Sequence, residues 1–385
     1  MSEYQYYEFL AIDEPLDEAA QKAVRALSSR AEISSTSFVN TYNYGDFRGN
    51  PAELTLKYYD AFLYIANWGT HWLMLRLLRS LVDVEAMRAY CSEEGTTLRV
   101  QGDHVLLSFR SEEEGGDWEE GEGWLASLVP LRDELLAGDL RCLYLAWLSS
   151  AEREEFDDDE REPPLPPGLG KLSAAQRRFV EFMRIDEELV RAAAGGSAGE
   201  APAGPARVEL AAWLATLPAS EKDGLLLQLI EGEGRHLGIQ LLRRFQQHRA
   251  ARASGRGKTA EEPRRTVGAL LDAGKVAAEE AQRQRQEAAA RKQAEEARKQ
   301  AKERARYLET LAPRAEETWG EVEQLIETKL PKNYDQAVAL LCDLRDLAAG
   351  GSGAEKTATR IRELRQRHAA KRTFVQRLDK AGLPK

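Results

Sequence analysis

The chain has 385 residues, 43% hydrophobic and 31% charged, and its 64 acidic side chains against 54 basic ones give a formal net charge of −10. Such a composition excludes a wholly disordered, collagenous or membrane-integral chain. The acidic balance gives no global positive field to attract nucleic acid or an anionic bilayer.

Residues 4 to 12 are aromatic and branched with partial alternation, which predicts a strand. Asp17 is placed to cap a helix running to about Ser28, and Ile33 to Tyr42 reads as extended again. Asn50 and Pro51 make a good helix start, with Leu54, Tyr58, Ala61, Phe62 and Ile65 as its apolar stripe. From His71 to Leu81 helix and strand compete, because the leucine run is nearly unbroken. Thr97–Val100 and Val105–Phe109, joined through Gly102, predict a hairpin. Trp124 to Val129 reads as a further strand, and Leu131–Leu136 and Leu140–Leu148 as helices.

The fold class expected is α+β: an N-terminal mixed module with antiparallel pairing, then predominantly helical regions and a long charged helix. The domain reading is an α+β module over 1–150, an acidic and proline-rich linker over 151–171 and a helical region over 172–248. A mobile basic segment and exposed charged helix follow over 249–306, and a C-terminal helical region over 307–385. Ala277 to Ala305 has no proline or glycine and almost no large apolar residue. High propensity and spaced opposite charges, such as Glu295 with Lys299, favour an exposed single helix over a tight dimer seam.

Chemistry-bearing motifs are absent. There is no phosphate loop, His-Glu-x-x-His pair, nucleophile elbow or close cysteine pair, and no cofactor or metal is expected. Cys91, Cys142 and Cys342 are too scattered for a disulfide scaffold. The histidines, His71, His104, His236, His248 and His368, form no short-spaced set. Residues 111 to 160 hold 17 acidic and three basic residues, with Glu112, Glu113, Glu114, Asp157, Asp158 and Asp159 as candidates for contact with a basic protein. The run Arg249, Arg252, Arg256, Lys258, Arg264 and Arg265 is a weaker candidate for phosphate contact. Two polar-aromatic clusters, Asn43, Tyr44 and Asp46, and Asn67, Trp68 and His71, are the candidate pocket or interaction edge.

The segments Tyr6–Asp13, Ala61–Thr70 and Gly121–Leu125 resemble an uncharacterised family of bacterial cytoplasmic proteins. The tail, Arg362–His368 through Leu378–Leu383, resembles that of bacterial SWIM zinc-finger-associated proteins, although the zinc-binding cysteine–histidine motif itself is missing. The resemblance implies a bacterial accessory role without a zinc site. With no signal segment, lipidation signal or long apolar span, a cytoplasmic location is expected. The functional expectation is a non-catalytic interaction or regulatory protein with a protein partner and no membrane association. The alternatives are an enzyme acting on a small molecule through Asn43, Asp46, Asn67 and His71, and a nucleic-acid-associated accessory factor.

Overall fold

The structure is a computed structural model that describes residues 3–113, 119–197, 199, 207–231, 234, 236–253, 264–349 and 353–385. Glu114, Gly232, Glu233, Arg235, Arg256 and Lys258 therefore lie outside the described residues. The chain divides into two compact units, Met1–Gln282 and Arg283–Lys385.

The first unit is built on a sheet of seven strands: β1 Gln5–Leu10, β2 Glu32–Ile33, β3 Ser37–Tyr42, β4 Ala61–Ala66, β5 Thr70–Leu78, β6 Thr96–Gln101 and β7 His104–Glu112. Their order is β2-β3-β1-β4-β5-β7-β6, with every pairing antiparallel. Strand β4 explains one correction. Ala61, Phe62 and Ile65 were expected to extend the stripe of a helix, yet all six residues of β4 are buried in the sheet. Ala61, Leu63 and Ile65 face one core, and Phe62, Tyr64 and Ala66 face the other. A central strand covered on both sides loses its polar positions, so its period of two vanishes from the sequence. The leucine run of β5 is a strand for the same reason. The hairpin between β6 and β7 turns at Gly102, which takes φ +58.

One face of the sheet carries α1 Glu18–Arg25 and α2 Pro51–Tyr58. Asp17 and Asn50 accept hydrogen bonds from the first-turn backbone of these helices, as caps should. Beneath them Phe9, Phe38, Tyr59 and Phe62 form an aromatic core. The other face is covered by α3 Val84–Arg88, α4 Trp124–Leu128, α5 Pro130–Leu136, α6 Arg141–Glu152, α7 Ala174–Met183 and α8 Glu187–Ala194. Trp124–Leu128, expected as a strand, is thus a helix, with Trp124, Leu125 and Leu128 buried at helical spacing. Every residue of α6 from Cys142 to Ala151 is buried, which makes it the centre of this layer.

The stretch 151–171, expected as a linker, lies against this core. Glu162 and Leu169 are buried, and Glu162 holds Arg265 through Oε2 to Nη2 at 2.9 Å. Three further helices follow, α9 Arg207–Thr216, α10 Ala219–Ile230 and α11 Leu237–Ala253, and then α12 Val267–Leu311. Val267 and Leu270 at the start of α12 are buried in the first unit. The backbone N–H groups of Val267 and Gly268 donate to the carbonyls of Glu160 and Asp158. From residue 282 to residue 303 every side chain is exposed, as the charged pattern requires, and Lys299 pairs with Glu295 at 3.2 Å.

The second unit contains the rest of α12 with α13 Ala315–Glu327, α14 Pro331–Ala349, α15 Ala354–Arg367 and α16 Arg372–Lys380. Trp319, Val322, Ile326, Leu341, Leu364 and Phe374 fill its core. Arg304 reaches Asp343 at 2.6 Å and Asp346 at 2.7 Å, which fastens α12 to α14 within this unit.

Candidate functional site

His71 stands near the start of β5 and is 1% exposed. Its ring stacks on Phe182 of α7 at 4.9 Å between centroids. Nδ1 lies 2.7 Å from the Phe182 carbonyl oxygen. A carbonyl only accepts, so Nδ1 carries the proton and Nε2 is left to accept from Nη2 of Arg184 at 3.0 Å. The Glu119 carboxylate is 3.2 Å from the same Nε2. An ion pair there needs a second proton on the ring. Burial and the Arg184 guanidinium oppose that proton and outweigh the Phe182 carbonyl, lowering the His71 pKa from its ordinary 6.5 to about 4. The ring is therefore a neutral clamp between β5 and the end of α7, with both nitrogens engaged.

Arg184 owes its position to a left-handed backbone, φ +56, where α7 stops and α8 has yet to begin. This break separates α7 from α8 within the expected helical region 172–248. The Arg184 Nη1 donates to the carbonyl of Gly69 at 2.8 Å. Gly69 itself has φ +96, and a Cβ there would lie 1.7 Å from the Glu113 carbonyl oxygen. Asn67 closes the same turn. Its Oδ1 accepts from the backbone N–H of Tyr4 at 3.0 Å, and its own N–H donates to the Tyr4 carbonyl. Trp68, at the tip, is 46% exposed.

Asn43, Tyr44 and Asp46 lie in the loop between β3 and α2. This loop and the β4–β5 turn come to the same end of the sheet, because β3 and β4 both run antiparallel to β1, with Gln5 opposite Tyr42 and Ala66. Gln5 joins the first loop to the sheet. Its amide donates to the Gly45 carbonyl at 3.1 Å and to Asp46 Oδ1 at 3.2 Å. The two clusters nevertheless serve opposite faces. His71 points into the layer of α7, whereas Tyr44 and Asp46 line a solvent-open cavity of about 550 Å³ with Arg25, Arg30 and Arg48, beside the end of α1. Asn43 is exposed. The four residues of the enzyme reading thus do not converge on one cavity.

The acidic candidates are spread among local contacts. Glu112 pairs with Arg110 at 2.5 Å and Glu113 with Arg184 at 3.3 Å. Asp157, Asp158 and Asp159 are exposed, and the Asp158 and Glu160 carbonyls hold the first turn of α12. Carboxylates beside a helix N-terminus also complement its dipole. Burial pushes the thiols of Cys91, Cys142 and Cys342 above the ordinary range, so thiolate formation is opposed at each. Among the described residues no cluster of three His, Cys, Asp or Glu side chains is arranged to hold a metal ion, and no helix is long and apolar enough to cross a membrane.

A buried ionic cluster has only a faint trace in the sequence. Asp60 follows α2, and its Oδ2 accepts from the backbone N–H groups of Ile12 at 2.6 Å and Asp13 at 2.8 Å. Its Oδ1 accepts from Arg76 of β5 at 2.7 Å. Arg132 of α5, 2% exposed, donates through Nε to the Arg76 carbonyl at 2.9 Å and through Nη2 to Asp13 at 2.5 Å. Burial alone would raise the Asp60 pKa. The Arg76 guanidinium and the two N–H donors outweigh it and hold the carboxyl below its ordinary range. Two carboxylates and two guanidiniums thus tie the end of β1, α2, β5 and α5 together. The signal available in the sequence is Arg76, a cation inside the apolar run that becomes β5.

No family model matches the chain, and no curated protein or solved structure matches it.

Proposed function

We propose that the chain is a non-catalytic accessory or regulatory protein that docks a protein partner through α10. The observation that carries this reading is the uncovered apolar stripe of that helix. Leu226, Leu227, Leu229 and Ile230 are all exposed, Ile230 to 82%. At about 100° per residue they occupy roughly 160° of the circumference. Glu221 of α10 pairs with Arg244 of α11, and Trp213 of α9 packs edge-on against Phe245 of α11 at 5.7 Å.

Burying one aliphatic side chain contributes about 1.5–3 kcal/mol, so four left in water are a substantial unrealised driving force. Asp223 and Glu231 are exposed at the two ends of the stripe. The partner that fits is a protein with an apolar contact surface and a basic rim. The fixed neutral tautomer of His71 and the raised cysteine pKa values support a binding role over a catalytic one. The bacterial accessory role implied by the sequence resemblance belongs to the same reading.

Affinity purification with quantitative mass spectrometry tests it, comparing the wild type with the Leu226→Ser/Ile230→Ser double variant. A recurring partner should be retained by the wild type and reduced at least about tenfold in the variant, the loss of two hot-spot contacts. Identical partner sets from both proteins would reject the assignment. A concentration-dependent dimer abolished by the same variant would give the surface to a second copy of the chain and overturn the accessory reading.

A further inference from the structure

We infer that the cavity between the end of α1 and the β3–α2 loop binds a small organic phosphate. Three arginines, Arg25, Arg30 and Arg48, line it together with one acidic residue, Asp46. None of the three arginines forms a salt bridge with a carboxylate among the described residues. Three less exposed arginines are each paired closely with a carboxylate: Arg76 with Asp60, Arg141 with Asp139 and Arg265 with Glu162. In a chain with ten more acidic than basic residues, three arginines on one cavity form a local positive site that the single Asp46 carboxylate offsets only in part.

Two of the three are already positioned. Arg30 Nη2 donates to the Tyr44 hydroxyl at 3.0 Å, with the guanidinium 5.1 Å from the ring centroid. Arg25 Nη1 donates to the Ala31 carbonyl. Each keeps further N–H groups for a ligand, and a planar guanidinium matches a phosphoryl group with paired donors. Arranging them before binding reduces the ordering cost. The carbonyl end of α1 opposes an anion here with about half a charge. Three full positive charges outweigh it.

Size and lining separate an organic phosphate from phosphate itself. A cavity of about 550 Å³ is of the size that holds a whole small molecule. The Tyr44 ring, 66% exposed, offers a face to the organic portion. Asp46 Oδ1 already accepts from Gln5. The second carboxylate oxygen suits a ligand hydroxyl or amino group, so the fitting class is a phosphorylated sugar or nucleoside.

Isothermal titration of the full chain tests this with ribose phosphate, adenosine monophosphate, inorganic phosphate and adenosine as probes. At least one organic phosphate should bind with a Kd below about 1 mM. Adenosine should not bind, and added salt should weaken the interaction. Arg48→Gln changes an exposed side chain and should weaken binding at least tenfold, as should Arg30→Gln. Failure of both organic phosphates to bind overturns the inference, and so does binding that survives both substitutions unchanged. Inorganic phosphate binding as tightly as the organic probes would overturn the assignment of the organic portion. None of these outcomes depends on α10, so the partner reading stands or falls separately.

Discussion

The sharpest quantitative consequence concerns His71 and acid. Its pKa in the folded chain is about 4 against an ordinary 6.5. The unfolded chain therefore takes up a proton below pH 6.5 that the folded chain refuses until about pH 4. Folding stability rises with pH wherever the unfolded state binds more protons. The contribution of the buried neutral ring is thus complete above pH 6.5 and is lost progressively as pH falls towards 4. At about 1.4 kcal/mol for each tenfold change in proton affinity, the loss is about 3 kcal/mol. That is a large share of the ~5–15 kcal/mol typical of a domain.

The perturbation is His71→Gln, which cannot titrate and keeps an amide N–H for the Phe182 carbonyl. Urea unfolding followed by tryptophan fluorescence reports mainly the first unit, because six of the seven tryptophans precede residue 282. At pH 7.5 the variant should be less stable, having lost the stacking on Phe182. Between pH 7 and 4 the gap should close or reverse by about 3 kcal/mol, because only the wild type loses this term. Carboxylates away from the ring act on both proteins and cancel in the difference, and adding Glu119→Gln to both removes the one carboxylate in contact with it. Parallel stability–pH profiles for the two proteins would refute the buried neutral assignment, whatever the offset between them.

The buried cluster predicts a different acid window. Asp60, held below the ordinary carboxylate range, contributes stability that is present above that range and lost only as pH falls through its lowered value. Asp60→Asn leaves Arg76 and Arg132 facing an uncharged amide and should cost about 3–5 kcal/mol in chemical denaturation at neutral pH; a cost below 1 kcal/mol would show that the cluster is not coupled as described. Gly69→Ala forces a side chain into a left-handed backbone and against the Glu113 carbonyl, so it should cost at least about 1–3 kcal/mol. An unchanged Tm for that variant would mean that the turn is drawn wrongly.

The sequence makes the local features of this fold legible and hides those set by the sheet. The caps Asp17 and Asn50, the β6–β7 hairpin and the charged stretch of α12 depend on neighbours a few residues apart, and each stands where local chemistry puts it. Ala61–Ala66 misleads because its alternation exists only relative to two cores, and both cores are apolar. Trp124–Leu128 misleads because a run this short has no resolvable period. The site shows the same division. Tyr44 and Asp46 stand out as aromatic and polar residues in a turn. Arg25, Arg30 and Arg48 are unremarkable singly, and only the packing of α1 and the β3–α2 loop beside β1 gathers them. The tautomer of His71 is fixed by Phe182 and Arg184, more than a hundred residues away, so no reading of its own neighbourhood reaches it.

Net charge and local charge answer different questions in this molecule. The value of −10 describes the far field, which salt screens beyond about 10 Å. Extended polyanions are bound by many phosphate contacts spread over a surface, and an excess of acid works against that. A cavity that presents three guanidiniums to one phosphoryl group acts within hydrogen-bond distance, where the nearest groups dominate and distant carboxylates are screened. Overall acidity and a site for a small organic phosphate are therefore compatible. The acidity also disfavours nonspecific capture of larger anions by the same arginines, which leaves the cavity to ligands small enough to enter it.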